Sequence, residues 1–162
     1  MTALGFVGLC LPRASGGPPL RPIYRHNGAR YLGEALDSLL AQTFGDFELI
    51  VADNASTDGT ETICRGYAAA DHRIRYVRNA TNIGSLGNFN LTFAHARGRY
   101  FKWAADDDVV QPEFVARCLA LLEREPAVVL CHSHTRIIDE HGAAVGDYTY
   151  PSGHASGVRP SS

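Results

Sequence analysis

The sequence predicts an α/β domain: a mostly parallel sheet with helices on its flanks. Three observations carry that expectation. Short apolar runs alternate with amphipathic stretches about every 25 residues, the rhythm of βαβ units with right-handed crossovers. Two of the apolar runs, 47–52 and 100–105, pass directly into acidic turns, at Asp53 and at Asp106-Asp107-Asp108. Finally, a strand can bury Phe101, Trp103 and Ala105, but not three adjacent charges, so the second run must stop at the acidic row. In a parallel sheet both turns emerge at the carboxyl rim, where open α/β sheets bind ligands.

The elements follow in order. Residues 5–12 are apolar and closed by Pro12, as a first strand would be. Residues 13–25, with Ser15, Gly16, Gly17, Pro18, Pro19 and Pro22, have loop chemistry and read as an atypical insertion. Over 28–42 an amphipathic helix is expected, with Leu32, Ala35, Leu36, Leu39 and Leu40 on one side and Arg30, Glu34 and Asp37 on the other. A buried strand covers 47–52. Asp58 with Glu61 three residues later predicts a capping box and a helix from near Gly59 to about Ala69.

Residues 74–77 form a third strand and 82–84 a turn. A helix over 85–97 carries Phe89, Phe93 and Ala96 inward and stops at Gly98. In the strand 100–105, Lys102 is expected on a wet face. Pro112 opens a helix that ends near Glu125. Two further strands are predicted at 128–131 and 135–138. Residues 1–142 then make one part, and 143–162, rich in Pro, Ser and Gly, read as a tail without fixed structure.

Composition narrows the function. The chain of 162 residues is long enough for one domain with a core. A net charge of -2 argues against a dedicated nucleic-acid binder. Cys10, Cys64, Cys118 and Cys131 form no CxxC pair, which fits a reducing compartment rather than a disulfide framework or zinc site. No apolar run is long enough to span a bilayer. The expected location is cytoplasmic, or peripheral at the inner membrane face.

The chemistry lies in the acidic turns. Clustered carboxylates are hard oxygen ligands for Mg2+ or Mn2+, and such a metal usually also touches a phosphate. Asp107, with Asp106 or Asp108, would hold it and offset the charge that develops on a departing diphosphate. An ionised carboxylate only accepts hydrogen bonds, so Asp53 suits a base N–H or ribose hydroxyls. Asn82, Asn88 and Asn90 are neutral donors that could reach hydroxyls or phosphate. Asp58 is assigned to helix capping. The plainer alternative is an acidic turn that merely suits the start of the next helix, with the asparagines on turn duty.

The run 27–44, the segment 47–60, Asn82-Ile83-Gly84, Ala96-Arg97-Gly98 and 105–112, in that order, resemble family 2 glycosyltransferases of the GT-A fold, from about Asn27 to Gly142. The resemblance implies a Rossmann-like fold and the metal-dependent, inverting transfer of a sugar from a nucleoside diphosphate sugar, a UDP-sugar above all, to a hydroxyl acceptor, as in polysaccharide biosynthesis. It implies that Asp53 binds the nucleotide base, that Asp106 meets ribose and metal, and that Asp107 holds Mn2+ or Mg2+. Asp108 is a further metal candidate, because Ala105 stands where the family's usual first aspartate would be. Asn82 and Asn90 join the nucleotide set, with Tyr24 as the aromatic that would stack on the base. The resemblance also implies an acceptor half and a general base beyond residue 162. Two rivals follow: a non-catalytic nucleotide-binding fragment, and a phosphotransfer domain of flavodoxin-like shape.

Overall fold

In the computed structural model the backbone is described for residues 6–11 and 28–148, and side chains for 28–148. Tyr24 and the whole of the 13–25 insertion therefore lie outside the described residues. The chain divides into a unit of residues 1–129 and a unit of residues 130–162.

The first unit holds β1 (Phe6–Leu11), α1 (Leu32–Leu40), β2 (Glu48–Asp53), α2 (Thr60–Ala70), β3 (Ile74–Arg78), α3 (Gly84–His95), β4 (Tyr100–Ala105) and α4 (Phe114–Arg124). The sheet order is β3-β2-β1-β4. β2 and β3 pair in parallel, whereas β1 runs antiparallel to both β2 and β4. So β2, β3 and β4 share one direction, as a mostly parallel sheet requires, and β1 opposes them. Leu11 and Gly28 thus lie at opposite rims. The 16 residues from 12 to 27 could span about 50 Å extended, and a six-residue strand needs only about 20 Å of return. The insertion is long enough to permit the reversal.

Burial explains why the strands sit where they do. Every residue of β2 after Glu48 is buried, as expected of a strand covered on both faces. Leu49, Val51, Ile74 and Ala104 meet Leu32, Leu36 and Leu39 of α1, Cys64 of α2 and Val115 of α4 in one core. On the other face Phe89 of α3 packs with Ala105 and Trp103. Fully burying one such leucine contributes about 2 kcal/mol. Phe93, expected inward, is instead 39% exposed and lies edge-on to Phe101, 5.3 Å away. Lys102 is not on a wet face: its ammonium lies over the Phe114 ring and donates to the Trp103 carbonyl at 2.8 Å, and burial lowers its pKa.

The end of α1 is stitched to the start of α4. Gln42 is buried; its Nε2 donates to the Gln111 carbonyl at 2.9 Å and its Oε1 accepts from Val115 N at 3.1 Å. Ser38 Oγ accepts from Val110 N. These bonds fix the far end of the loop that leaves the acidic row.

The second unit contains a hairpin of β5 (Arg136–Ile138) and β6 (Ala144–Asp147). The strand expected at 135–138 is there. The one expected at 128–131 is not: that run straddles the two units and takes no ladder partner, and without one its backbone groups have no sheet to join. β6 falls inside the segment expected to be a tail.

Candidate functional site

The register of β1 settles where the two acidic turns lie. Val7 is paired with Val51 on one side and Ala104 on the other. Asp53 and Asp106 each stand two residues further along strands of the same direction, so they reach the same rim.

The Asp53 turn is internally complete. The Asp53 side chain is fully buried. Its Oδ1 accepts from Ser56 N at 2.8 Å, and its Oδ2 accepts from the Tyr76 hydroxyl at 2.7 Å and Arg78 Nη1 at 2.6 Å. Burial acts to raise its pKa, but the bonds from Ser56, Tyr76 and Arg78 outweigh it and hold the carboxyl below its ordinary value. Arg78 also donates to the Ser56 carbonyl and pairs with Glu61. Sequence reading missed Arg78. The signal lay in the pairing of the strands, since Asp53 and Arg78 are register partners at the ends of β2 and β3.

Asparagines hold the same loop to the turn before α3. Asn54 Nδ2 donates to Asn82 Oδ1 at 2.6 Å, while Asn54 Oδ1 accepts from Asn79 Nδ2 and Ile83 N, each at 2.9 Å. Asn88 Oδ1 accepts from Asn79 Nδ2, and its own Nδ2 donates to the Ala52 carbonyl. A buried amide must be paired in this way. Asn82 therefore lies at the loop, through Asn54. Asn90 is exposed on α3, and Asn88 is the buried asparagine of that helix. Ala55, between Asn54 and Ser56, has a φ of 60°, a left-handed conformation that disfavours a side chain.

Asp58 bonds the first residue of α2 but is not the cap of the expected box, a position held by Gly59 without a side-chain bond. Asp58 Oδ1 accepts from Thr60 N at 3.0 Å and its Oδ2 from Ala29 N at 3.1 Å. Glu61 does not reach back; it pairs with Arg65 and Arg78. Thr60 Oγ1 accepts from Gly28 N at 3.2 Å. The turn before α1 is thereby fastened to the loop before α2.

The acidic row differs along its length. Asp106 is 2% exposed, Asp107 half-buried and Asp108 exposed as a residue. Partial burial of the Asp108 carboxyl, then the charge of Asp107, raise its pKa, and Lys102 draws it back. Neighbouring carboxylates are hard oxygen donors of the kind that suit a divalent cation. Among the described residues no three His, Cys, Asp or Glu side chains converge on one metal position. A cleft of about 450 Å³ opens at the other rim, between Phe47, Glu48, Arg73, Arg75 and Arg97. Its arginines are interleaved with acids, and it touches none of the predicted site residues.

Known proteins place this arrangement. The family model described as "Glycosyl transferase family 2" matches residues 22–155. An uncharacterized glycosyltransferase of Rickettsia prowazekii, RP339, is 37% identical over 113 residues, covering 68% of this chain and 34% of its own. An uncharacterized protein of Mycobacterium tuberculosis, Rv1520, is 36% identical over 126 residues, covering 76% of this chain and 36% of its own. Among solved structures, S. aureus TarS 1-349 in complex with UDP is similar with a TM-score of 0.53 and 26% identity, over 64% of this chain and 30% of that one. The chain spans 42% or less of the length of the curated relatives it matches first. No helix among the described residues is long and apolar enough to cross a membrane. With a family match over most of its length and an α/β sheet of GT-A type, the chain belongs to glycosyl transferase family 2.

Proposed function

We propose that this rim binds the nucleoside diphosphate of a sugar donor, UDP in the first instance, and that the chain serves the metal-dependent, inverting transfer of the sugar to a hydroxyl acceptor. The observation that supports it most is the placement of both acidic turns at one rim, tied through Gly28, Asp58 and Thr60. The UDP complex of TarS supports the nucleotide.

Each residue has a role that follows from its surroundings. The loop 53–56, locked by Arg78 and the asparagines, offers a rigid wall for the nucleoside. Three of the about four acceptor positions of Asp53 are filled. A base N–H reaches Asp53 when Arg78, whose side chain is 31% exposed, swings out. Asn82, at the edge of the same network, faces the nucleoside, and Asn90 and Tyr24 complete the proposed nucleotide set. Asp107 with Asp106 or Asp108 would hold Mn2+ or Mg2+. Such an ion keeps few protein ligands and takes the rest from water and phosphate, so a site with two carboxylates fits it. When bound, the ion supplies positive charge for the departing diphosphate. The acceptor hydroxyl needs a base, which we assign to none of the described residues.

A second reading, donor binding without transfer, needs only the shared rim and no base. Calorimetric titration of UDP with and without Mn2+ tests the binding that both readings require: affinity that rises with the metal supports it, and no UDP binding in either condition refutes it. Release of free UDP from a UDP-sugar in the presence of hydroxyl acceptors separates the two.

A further inference from the structure

Gly28 lies where the turn before α1 crosses the end of β4. A Cβ placed on it would overlap Asp106 Oδ2 and stand 2.9 Å from Asp106 Cγ and 3.6 Å from Asp106 Cβ. At Gly87, by contrast, a Cβ would come no nearer than 3.2 Å to a neighbouring atom. The position is not free to drift. Gly28 N donates to Thr60 Oγ1 at 3.2 Å, Ala29 N donates to Asp58 Oδ2 at 3.1 Å, and Thr60 Oγ1 donates to Asp58 Oδ1 at 2.5 Å. On the other side, the Gly28 carbonyl accepts from Leu32 N at 3.3 Å, the start of α1. A buried carboxylate is thus pressed against a bare Cα held from two directions.

We infer that Gly28 is the positioning residue of Asp106: its missing side chain lets the Asp58–Thr60 clamp lay the backbone against the carboxylate and fix its direction. The orientation of the first aspartate of the row is then set by a turn more than 70 residues upstream. This also orders the row. Asp106 is seated inward against Gly28, while Asp107 is half-buried and Asp108 exposed as a residue. The ligand arm of the inference rests on the donor-site reading; the contact itself does not.

The test is a double-mutant cycle on the full chain, using Gly28→Ala, Asp106→Ala and the pair. Thermal unfolding reads the contact. Gly28→Ala lowers the melting temperature by about 4 °C or more. The same change costs less than about 1 °C once Asp106→Ala has opened the space, because only contacting residues couple. An equal penalty in both backgrounds overturns the inference. If Gly28→Ala alone does not fold, the pair decides: folding as well as Asp106→Ala supports the contact, and failing to fold overturns it.

Calorimetry reads the positioning. Gly28→Ala loses at least about tenfold of the Mn2+-dependent gain in UDP affinity, as expected of a group that orients a ligand. Retention of the full Mn2+ gain overturns the positioning role. If the parent binds no UDP, the donor reading fails by itself, and the melting cycle still decides whether Gly28 seats Asp106.

Discussion

The Asp53 turn and the acidic row occupy one rim but are finished to different degrees. Asp53 has no exposed side-chain surface, and its hydrogen bonds to Ser56, Tyr76 and Arg78 hold its pKa down. Asp108 is exposed, and burial of its carboxyl together with the charge of Asp107 pushes its pKa up. The first turn is satisfied by the protein itself, as a piece of scaffold is. The second sets the charges of Asp107 and Asp108 side by side, with Lys102 drawing the pKa of Asp108 back, and it is the turn to which we assign the cation. A carboxylate's identity in the sequence does not separate these cases; its partners do.

Substitutions should separate the two turns in the same way. The largest effect is expected at Asp107→Ala, which removes about 100-fold or more of the Mn2+-dependent part of UDP affinity, since even indirect partners of a metal cost 10–100-fold. Its melting temperature stays near that of the parent, because a half-buried carboxylate at the rim, outside the apolar core, contributes little to folding. Calorimetry beside thermal unfolding checks both halves; an unchanged metal dependence would sink the role given to Asp107.

Asp53→Asn should do the reverse, costing about 2 kcal/mol of stability, because it strips charge-assisted bonds from a buried group. The pH dependence follows from the direction of its shift. A folded pKa below the unfolded one stabilises the native state above the unfolded value and loses that contribution as pH falls through the folded value. Urea unfolding at several pH values should show stability falling below about pH 4, with a shallower fall in Asp53→Asn. Equal slopes would mean that Asp53 is not the group responsible.

The smallest effect tests whether the scaffold stores strain. Ala55 holds a φ of 60°, which costs a side chain about 1 kcal/mol or more, partly offset by the entropy a glycine loses on folding. Ala55→Gly should therefore raise stability by about 0.5 kcal/mol in urea unfolding. A loss of stability would place the cost of that turn elsewhere.

Local signals in the sequence carried most of the fold. The leucines of α1 repeat at helical spacing and are the buried ones, and the apolar runs before Asp53 and Asp106 became β2 and β4. What failed or was left open depended on partners that local patterns do not name. The reversal of β1 is a matter of which neighbour it pairs with, and a Gly/Pro-rich insertion says only that the chain is free to turn. The run 128–131 has strand composition but no ladder partner. Lys102 alternates correctly for a two-sided strand, yet Phe114 of α4 covers its ammonium. At the site, the acidic turns were legible because charge stops a buried strand. The saturation of Asp53 by Arg78, the asparagine network around Asn54 and the seat of Asp106 on Gly28 were not, since each joins residues 25 or more positions apart.

The central claim is that the two turns grip the two ends of one ligand. Paramagnetic broadening of backbone amide signals by Mn2+, with UDP present and then absent, tests it most directly. The account predicts that Mn2+ with UDP broadens the amides of 106–108 most strongly and those of 53–56 as well, with the second set recovering when the nucleotide is omitted. Broadening confined to 106–108 under both conditions, with UDP leaving 53–56 unmoved, would contradict it.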